Sequence, residues 1–283
     1  MSREIQAIRL AILTAVIGSI AKFAAGFVTG SMSMISSGVD SLGDLFVSVA
    51  NLFVVRLSEK DADDDHNYGH HKVEGLGAMF EGGFIAAAGA FIIYESVHKA
   101  MIGEESHSSA VGIVVMLPIL AMTIGTVMHL RKVAKETGSL VVKSDAAHYL
   151  TDVWVNIGVL VSLVLVWVTG EPLVDTAISI LIALSMFRSS FHIVSEGVDV
   201  VMDKSLAPDV VARVRAVLTA EARILSFHDF KTRMGKIPHV DFHIVVPGHM
   251  TAAELHDVFL DLRRHVQDVV GPSTKVLMHA DTA

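Results

Sequence analysis

Long apolar stretches separated by short polar ones occupy the first two thirds of the chain. Six of these stretches contain few or no charged residues, and they span residues 8–30, 34–55, 75–97, 110–130, 146–169 and 173–194. A helix of about 20 residues rises about 30 Å, which is the thickness of the hydrocarbon core of a bilayer. The pattern therefore predicts an all-α bundle of six transmembrane helices.

The pattern changes after residue 203, where charged and apolar residues begin to alternate. Helical spacing over 209–221 and 252–270 and strand-like alternation over 223–233, 239–246 and 274–279 predict two helices and three strands. We expect a transmembrane domain over residues 1–203 and a small α+β domain over residues 204–283. Its open-faced sheet would be covered by two helices on one side.

Composition agrees with a membrane protein and excludes several other classes. Of the 283 residues 52% are hydrophobic and 18% are charged, and the mean hydropathy is +0.56, whereas ordinary soluble domains are roughly 45–50% apolar and about 25% charged. A net charge of -8 argues against a nucleic-acid partner. Because the chain has no cysteine, disulfides and thiolate ligands are excluded, and any metal site must use His, Asp and Glu.

Basic residues predict the orientation in the membrane, because Lys and Arg are enriched in cytoplasmic loops. They cluster before and at the start of the first apolar stretch, between the second and third, and between the fourth and fifth: Arg3, Arg9, Arg56, Lys60, Lys72, Arg131, Lys132, Lys135 and Lys143. The opposite loops are short or acidic. We therefore expect both termini on the cytoplasmic side.

Two pairs of ionisable residues lie inside predicted membrane spans. Asp40 and Asp44 are four residues apart in the second span, and so are His148 and Asp152 in the fifth. This spacing places both members of a pair on one helix face, so two facing helices could offer three carboxylates and one imidazole to a divalent cation. The alternative is that each pair makes a structural polar contact between helices or lies near the interface.

Lys22 and Arg188, also within spans, are expected to be structural.

A second candidate site lies in the loop between the second and third spans. Asp63, His66 and His70 combine a carboxylate with two imidazoles at spacings that a loop can fold around a cation. An acidic, solvated loop is the alternative, because histidine-rich loops often bind metal weakly.

Histidine is unusually dense in the last 80 residues. The strand ends and the second helix of this region place together the residues of a possible binuclear regulatory site, in which the carboxylate bridges two ions: His228, His243, His256, His279 and Asp281. The alternative is a set of surface histidines. His239, His249 and His265 are expected to be structural or exposed to solvent.

The strings GSMSMISSGVDSLGD, ADDDHNYGHHKVE, DAAHYLTD and VMDKSL, followed by the histidine-rich tail, occur in this order along the chain. In this combination the sequence resembles the cation diffusion facilitator family, in particular its bacterial zinc and iron efflux members. The resemblance implies a homodimer with a ferredoxin-like, metallochaperone-like cytoplasmic domain. It also implies a transport site at Asp40, Asp44, His148 and Asp152, a loop site at Asp63, His66 and His70, and a tail site bridged by Asp281.

The same resemblance implies that Lys72 and Asp203 form a charge pair that holds the dimer together. Two positions depart from the family pattern. His71 stands where many relatives have glycine and adds a competing ligand to the loop site, and Ala147 replaces a bulkier apolar residue before the transport histidine.

The functional hypothesis is a divalent-metal/proton antiporter of the bacterial inner membrane that exports Zn2+ from the cytoplasm, without enzymatic activity. Fe2+, Mn2+, Cd2+ and Co2+ are alternative cargoes, because this ligand set accepts all of them. The alternative from another class is a membrane-embedded metal sensor or interaction protein. A metallohydrolase is disfavoured because the chain has no HExxH motif, and a channel because a tight tetrahedral site would hold its ions too long.

Overall fold

The computed structural model describes residues 2–29, 32–102, 110–169 and 173–283, with side chains left undescribed at 26, 28, 29, 32–40, 95, 99, 100, 110–116, 155, 159, 160, 162–169 and 173–176. It divides into two compact units, Met1–Val198 and Asp199–Ala283. The elements in chain order are α1 Arg3–Thr29, α2 Met32–Ser58, α3 Val73–Ile102, α4 Ala110–Thr137, α5 Leu140–Thr169, α6 Leu173–Val201, α7 Pro208–Ala220, β1 Ser226–Arg233, β2 His239–Val246, α8 Ala252–Val270 and β3 Lys275–Thr282.

Six long helices of 27 to 30 residues make up the first unit, as the apolar pattern predicts. Within the described residues, four segments are long and apolar enough to cross a membrane: Arg3–Ala25, Ser41–Ser58, Val73–His98 and Ala177–Val201. The helices extend beyond the apolar stretches, and α5 begins six residues before residue 146, the predicted start of the fifth span. Polar residues at helix ends therefore continue the helix past the hydrophobic part of the sequence.

Hydrogen bonds between buried side chains fasten α1 to α4 and α5. The hydroxyls of Thr14 and Thr126 lie 2.7 Å apart, and Tyr149 donates a 2.8 Å hydrogen bond to the Ala11 carbonyl. Around them lies an apolar core to which α1, α2, α4 and α5 all contribute. Satisfied polar groups and small residues are common where membrane helices pack closely.

A buried carboxylate, Glu74, joins α2, α3 and α5 at one end of the bundle. Ser58 donates to its Oε1 at 2.9 Å, and the Ser139 hydroxyl and the Leu140 amide donate to its Oε2 at 3.0 and 2.9 Å. Because the Leu140 amide is at the first turn of α5, the carboxylate also occupies the favourable position for a negative charge at a helix N-terminus. Glu74 thus fixes where α5 begins relative to α3.

The second unit is an open-faced, three-stranded sheet with two helices. The strand order is β1-β2-β3, with β1 and β2 antiparallel and β2 and β3 parallel. Side chains of β2 alternate strictly between buried and half-buried, so one face carries the apolar core. That core joins the sheet to α7 and α8 through Val214, Leu218, Val240, Phe242, Ile244, Val246, Val258, Leu262 and Val266. The predicted α+β arrangement is confirmed, although β1 begins three residues later than predicted and β3 extends to Thr282.

Candidate metal centres

The central cluster joins α2 and α5 through three metal-ligating side chains. Single ligand atoms of Asp44, His148 and Asp152 all lie within 4.8 Å of one another, and His148 Nε2 is 3.2 Å from Asp44 Oδ1. His148 is 4% exposed, and the ring of Phe84 packs edge-on against its imidazole. Within the described residues, Asp152 Oδ2 is buried and has no hydrogen-bond partner. Two carboxylates and one imidazole provide three of the four ligands of a tetrahedral cation site.

The fourth predicted ligand is Asp40, whose side chain lies outside the described residues. Its backbone belongs to α2, one turn before Asp44. The i,i+4 spacing places the two residues on the same helix face. Its membership of the site therefore stays a prediction.

A buried lysine lies close to this cluster. Lys22 on α1 donates a 2.8 Å hydrogen bond to Ser41, which lies three residues before Asp44 on α2. The structural role expected of Lys22 is compatible with this contact, whose position depends on how α1 packs against α2.

Sequence reasoning also missed three buried polar residues beside the central cluster: Asn51, Glu81 and Asp145. Asn51 donates from Nδ2 to Glu81 Oε2 at 3.1 Å and to Asp145 Oδ1 at 3.0 Å. Glu81 lies within the third apolar stretch, and an ionisable residue inside a membrane span is a functional signal. That signal was available in the sequence.

The loop cluster forms as the spacing predicts. Asp63 Oδ1 lies 3.4 Å from His66 Nδ1, and Asp63 Oδ2 lies 3.5 Å from His70 Nε2. The Lys60 ammonium, which donates a hydrogen bond to Asp63, and the backbone amide of His66 hold the pKa of the Asp63 carboxyl well below its usual range. His71 does not belong to the cluster of three ligands that the described residues form here. The loop therefore offers an ionised carboxylate and two imidazoles on one side.

The tail cluster forms because the strand register aligns three histidines. His228 is opposite His243, and His243 is opposite His279. Asp281 Oδ2 lies 3.2 Å from His243 Nδ1 and 3.5 Å from His228 Nε2, and its Oδ1 lies 3.6 Å from His279 Nε2. The two oxygens of one carboxylate thus face different imidazoles, which is the arrangement that a bridging ligand between two ions needs.

A β-bulge shapes this cluster. The register between β1 and β2 shifts between His228 and Lys231, and Asp229 within the bulge has a positive φ of 48°. Bulges commonly re-aim side chains at functional sites. Asp229 Oδ2 lies 3.9 Å from His243 Nε2, so a second carboxylate borders the cluster. Sequence reasoning missed Asp229 because the alternation of apolar and polar residues along a strand does not reveal where a bulge lies.

His256 stands apart from the other tail residues. It is exposed on α8, the helix layer that covers the opposite face of the sheet, and no contact joins it to the tail cluster within residues 199–283. Its predicted role as a ligand is not supported within a single chain.

The predicted dimer charge pair is divided between the two units. Lys72 is exposed in the loop between α2 and α3, and Asp203 follows α6 with a positive φ of 55°. Arg233 Nη1 lies 3.5 Å from Asp203 Oδ1. The pairing of Lys72 with Asp203 stays a prediction.

Comparison with known proteins places these clusters in a family. Residues 8–202 match the cation efflux transmembrane domain, and residues 206–283 match the cation efflux protein cytoplasmic domain, a dimerisation domain. The chain is 31% identical over 263 residues to the cation-efflux pump FieF of Yersinia pestis, covering 93% of this chain and 87% of that protein. It is 28% identical over 251 residues to FieF of Shewanella oneidensis, covering 88% and 84%. The chain therefore belongs to the cation diffusion facilitator family, whose members are multi-pass cation efflux transporters and not enzymes.

Proposed function

We propose that this transporter is a homodimer that exports a divalent transition metal, with Zn2+ as its preferred cargo, from the cytoplasm in exchange for protons. The observation that carries the proposal is the convergence of Asp44, His148 and Asp152 from two helices within 4.8 Å. Two carboxylates and an imidazole suit the tetrahedral preference of Zn2+, with Asp40 as the fourth ligand. Fe2+, Co2+, Mn2+ and Cd2+ compete for the same donors, because geometry and availability decide between them.

Proton exchange follows from the chemistry of these ligands. A metal ion needs an unprotonated imidazole and ionised carboxylates, so protons and metal compete for the same atoms of His148 and Asp152. Loading with one releases the other. If the site opens alternately to each side of the membrane, this competition couples metal efflux to proton entry.

The positions of the basic residues favour an orientation with both termini and the tail in the cytoplasm. The tail cluster of His228, His243, His279 and Asp281 would then sample cytoplasmic metal. Metal bound there would stabilise the dimer and shift the equilibrium between conformations without entering the transport path.

The experiment measures metal efflux from metal-loaded proteoliposomes that hold the purified protein. An inward proton gradient is imposed, so that protons can enter as metal leaves. The variants Asp44→Ala and His148→Ala should lose transport at equal protein content and unchanged melting temperature. Glu136→Ala, which removes an exposed carboxylate paired with Arg3, is the matched control and should transport normally. Normal efflux by Asp44→Ala would mean that the central cluster is only a polar contact between helices.

A second candidate function, a membrane-embedded metal sensor, is favoured by the tail cluster. The same assay separates the two functions, because a sensor without transport gives no flux from the parent protein. For a regulated transporter, His228→Ala and His243→Ala should weaken the response of the flux to metal and leave a basal rate. Complete loss of flux in both variants would place the tail in the transport step itself.

A further inference from the structure

A second buried polar cluster lies beside the central one. We call it the Asn51 cluster, and it consists of Asn51 on α2, Glu81 on α3 and Asp145 on α5, which are 1%, 0% and 0% exposed. The amide nitrogen of Asn51 donates to both carboxylates, at 3.1 and 3.0 Å. One amide group therefore holds two carboxylates from different helices next to each other.

Each of the three side chains keeps one oxygen that has no hydrogen-bond partner among the described residues. These atoms are Asn51 Oδ1, Glu81 Oε1 and Asp145 Oδ2. The Ser144 hydroxyl donates to Glu81 Oε2, the oxygen that Asn51 already serves. A buried acceptor without a partner destabilises a protein, and it does so more strongly when it is charged. The cluster therefore offers three unsatisfied acceptors, all of them oxygens.

Burial on α3 does not by itself leave an oxygen unsatisfied. Glu74 lies two turns earlier on the same helix and is 2% exposed, yet both of its oxygens accept hydrogen bonds. The chain thus satisfies one buried glutamate with serine and backbone donors and leaves its neighbour Glu81 with a free oxygen. The difference points to a ligand that the protein itself does not supply.

The chemistry of the three acceptors defines that ligand. Carboxylate and amide oxygens without an imidazole or a thiolate are the donors that hard divalent cations prefer. No Lys or Arg side chain that the structure describes forms a salt bridge with Glu81 or Asp145, so a divalent cation would balance the two carboxylates when both are ionised. 

The location of the cluster suggests its role. Along α5, Asp145 precedes His148 by three residues, and along α2, Asn51 follows Asp44 by seven, which correspond to about 4.5 Å and about 10 Å of helix rise. The cluster thus lies between the central cluster and the end of the bundle where α2 ends and α5 begins. We propose that the Asn51 cluster is a second intramembrane cation site that takes one divalent cation through oxygen ligands. A role of this second site in passing the cation on to the transport site rests on the proposed function.

The test counts Mn2+ bound to the full-length protein in lipid nanodiscs, by the loss of the free-ion signal in electron paramagnetic resonance. Mn2+ alone is the probe, because it accepts oxygen ligands readily. His148→Ala and Glu81→Gln should each remove one bound ion per chain, and the double variant should remove two. Glu74→Gln is the matched control for a buried glutamate on the same helix and should keep the parent count.

Three results would overturn this inference. Glu81→Gln could keep the parent count, the double variant could lose no more than His148→Ala alone, or Asp145→Asn, a second variant of the same cluster, could keep the parent count in a folded protein. The proposed function fails differently, since it fails when His148→Ala keeps both its bound ion and its flux. The difference between the double variant and His148→Ala reports on the Asn51 cluster in either case.

Discussion

The ammonium of Lys22 on α1 donates a 2.8 Å hydrogen bond to the hydroxyl of Ser41 on α2, and both side chains are buried. Burying a positive charge is costly unless nearby negative charge compensates for it. The carboxylates of the central cluster supply this negative charge, since Ser41 lies three residues before Asp44 on α2. Lys22 therefore offsets part of the negative charge of the site and would repel a cation bound there.

We expect Lys22→Met to raise the affinity of the central cluster for Zn2+ about tenfold, which corresponds to about 1.4 kcal/mol, because a repulsive charge is removed from a poorly solvated site. Release should slow in parallel, so the maximal efflux rate should fall. Competition titration with a fluorescent zinc indicator and proteoliposome flux measure the two effects. Lys143→Met, which removes an exposed lysine paired with Glu196, is the control. A lower affinity in Lys22→Met would show that the lysine instead holds the carboxylates in their binding positions.

Lys60 would compete with a metal ion bound at the loop cluster. Its ammonium donates a hydrogen bond to Asp63 Oδ2, the oxygen that also faces His70. Removing the ammonium lets the pKa of Asp63 rise toward its ordinary value, which is still far below neutral pH. At pH 7 Asp63 then remains ionised and has lost a competitor for its oxygen.

We therefore expect Lys60→Met to bind Zn2+ at the loop several-fold more tightly, measured by calorimetry in an Asp44→Ala background that removes the central site. Lys132→Met, an exposed lysine near the end of α4, should leave the loop affinity unchanged. Equal affinities in all three proteins would mean that the loop cluster binds no metal through Asp63.

Acid should destabilise the second unit through Glu221. The Arg223 guanidinium, which donates two hydrogen bonds to this carboxylate, lowers the pKa of Glu221 from 4.5 to about 2. A carboxyl with a lowered pKa in the folded state stabilises the protein above its unfolded pKa, and this stabilisation is lost as the pH falls from about 4.5 to about 2. Because Arg223 is partly exposed, solvent screening reduces the contribution to about 1 kcal/mol.

Chemical denaturation of the segment 199–283 at pH 5 and pH 2.5, followed by circular dichroism, measures this effect. Between these two pH values, we expect the free energy of unfolding of Glu221→Gln to fall by about 1 kcal/mol less than that of the parent. Arg223→Met removes the partner and should flatten the pH dependence in the same way. If both variants lost as much stability as the parent at the lower pH, the effect would come from other carboxylates of the unit.

Apolar runs and spacing within single helices predict much of this fold and site. The helices and the α+β tail follow from patterns that a single element carries, and the spacing within α2 and within α5 predicts which helix faces carry Asp44, His148 and Asp152. The three histidines of the tail cluster also come together, because the register of the small sheet aligns His228 with His243 and His243 with His279.

What the sequence could not predict depends on contacts between elements. Asn51 meets Glu81 and Asp145 only because three helices pack with a particular rotation, and no spacing within one helix encodes that rotation. The same reason explains why His256 lies apart from the tail cluster. The helix that carries it was predicted, but the face of that helix on which it lies was not. Asp229 reaches the tail cluster through a bulge, which interrupts the alternation on which strand prediction relies.

Close packing of α3 against α6 yields the last prediction. A Cβ added at Gly197 would lie 2.6 Å from the Gly75 carbonyl oxygen and 3.2 Å from the Met79 amide nitrogen, whereas a Cβ at Gly83 would have no heavy atom within 4 Å among the described residues. Because backbone atoms cannot move aside as a flexible side chain can, Gly197→Ala must separate the two helices.

We expect Gly197→Ala to destabilise the first unit by about 1–3 kcal/mol, as overpacking of a close contact does, and to lower its melting temperature in detergent. Gly83→Ala adds the same methyl group to α3 and should melt like the parent. Equal melting temperatures for both variants would mean that α3 and α6 can move apart at little cost. In that case the close contact at Gly197 does not hold the two helices at a fixed separation.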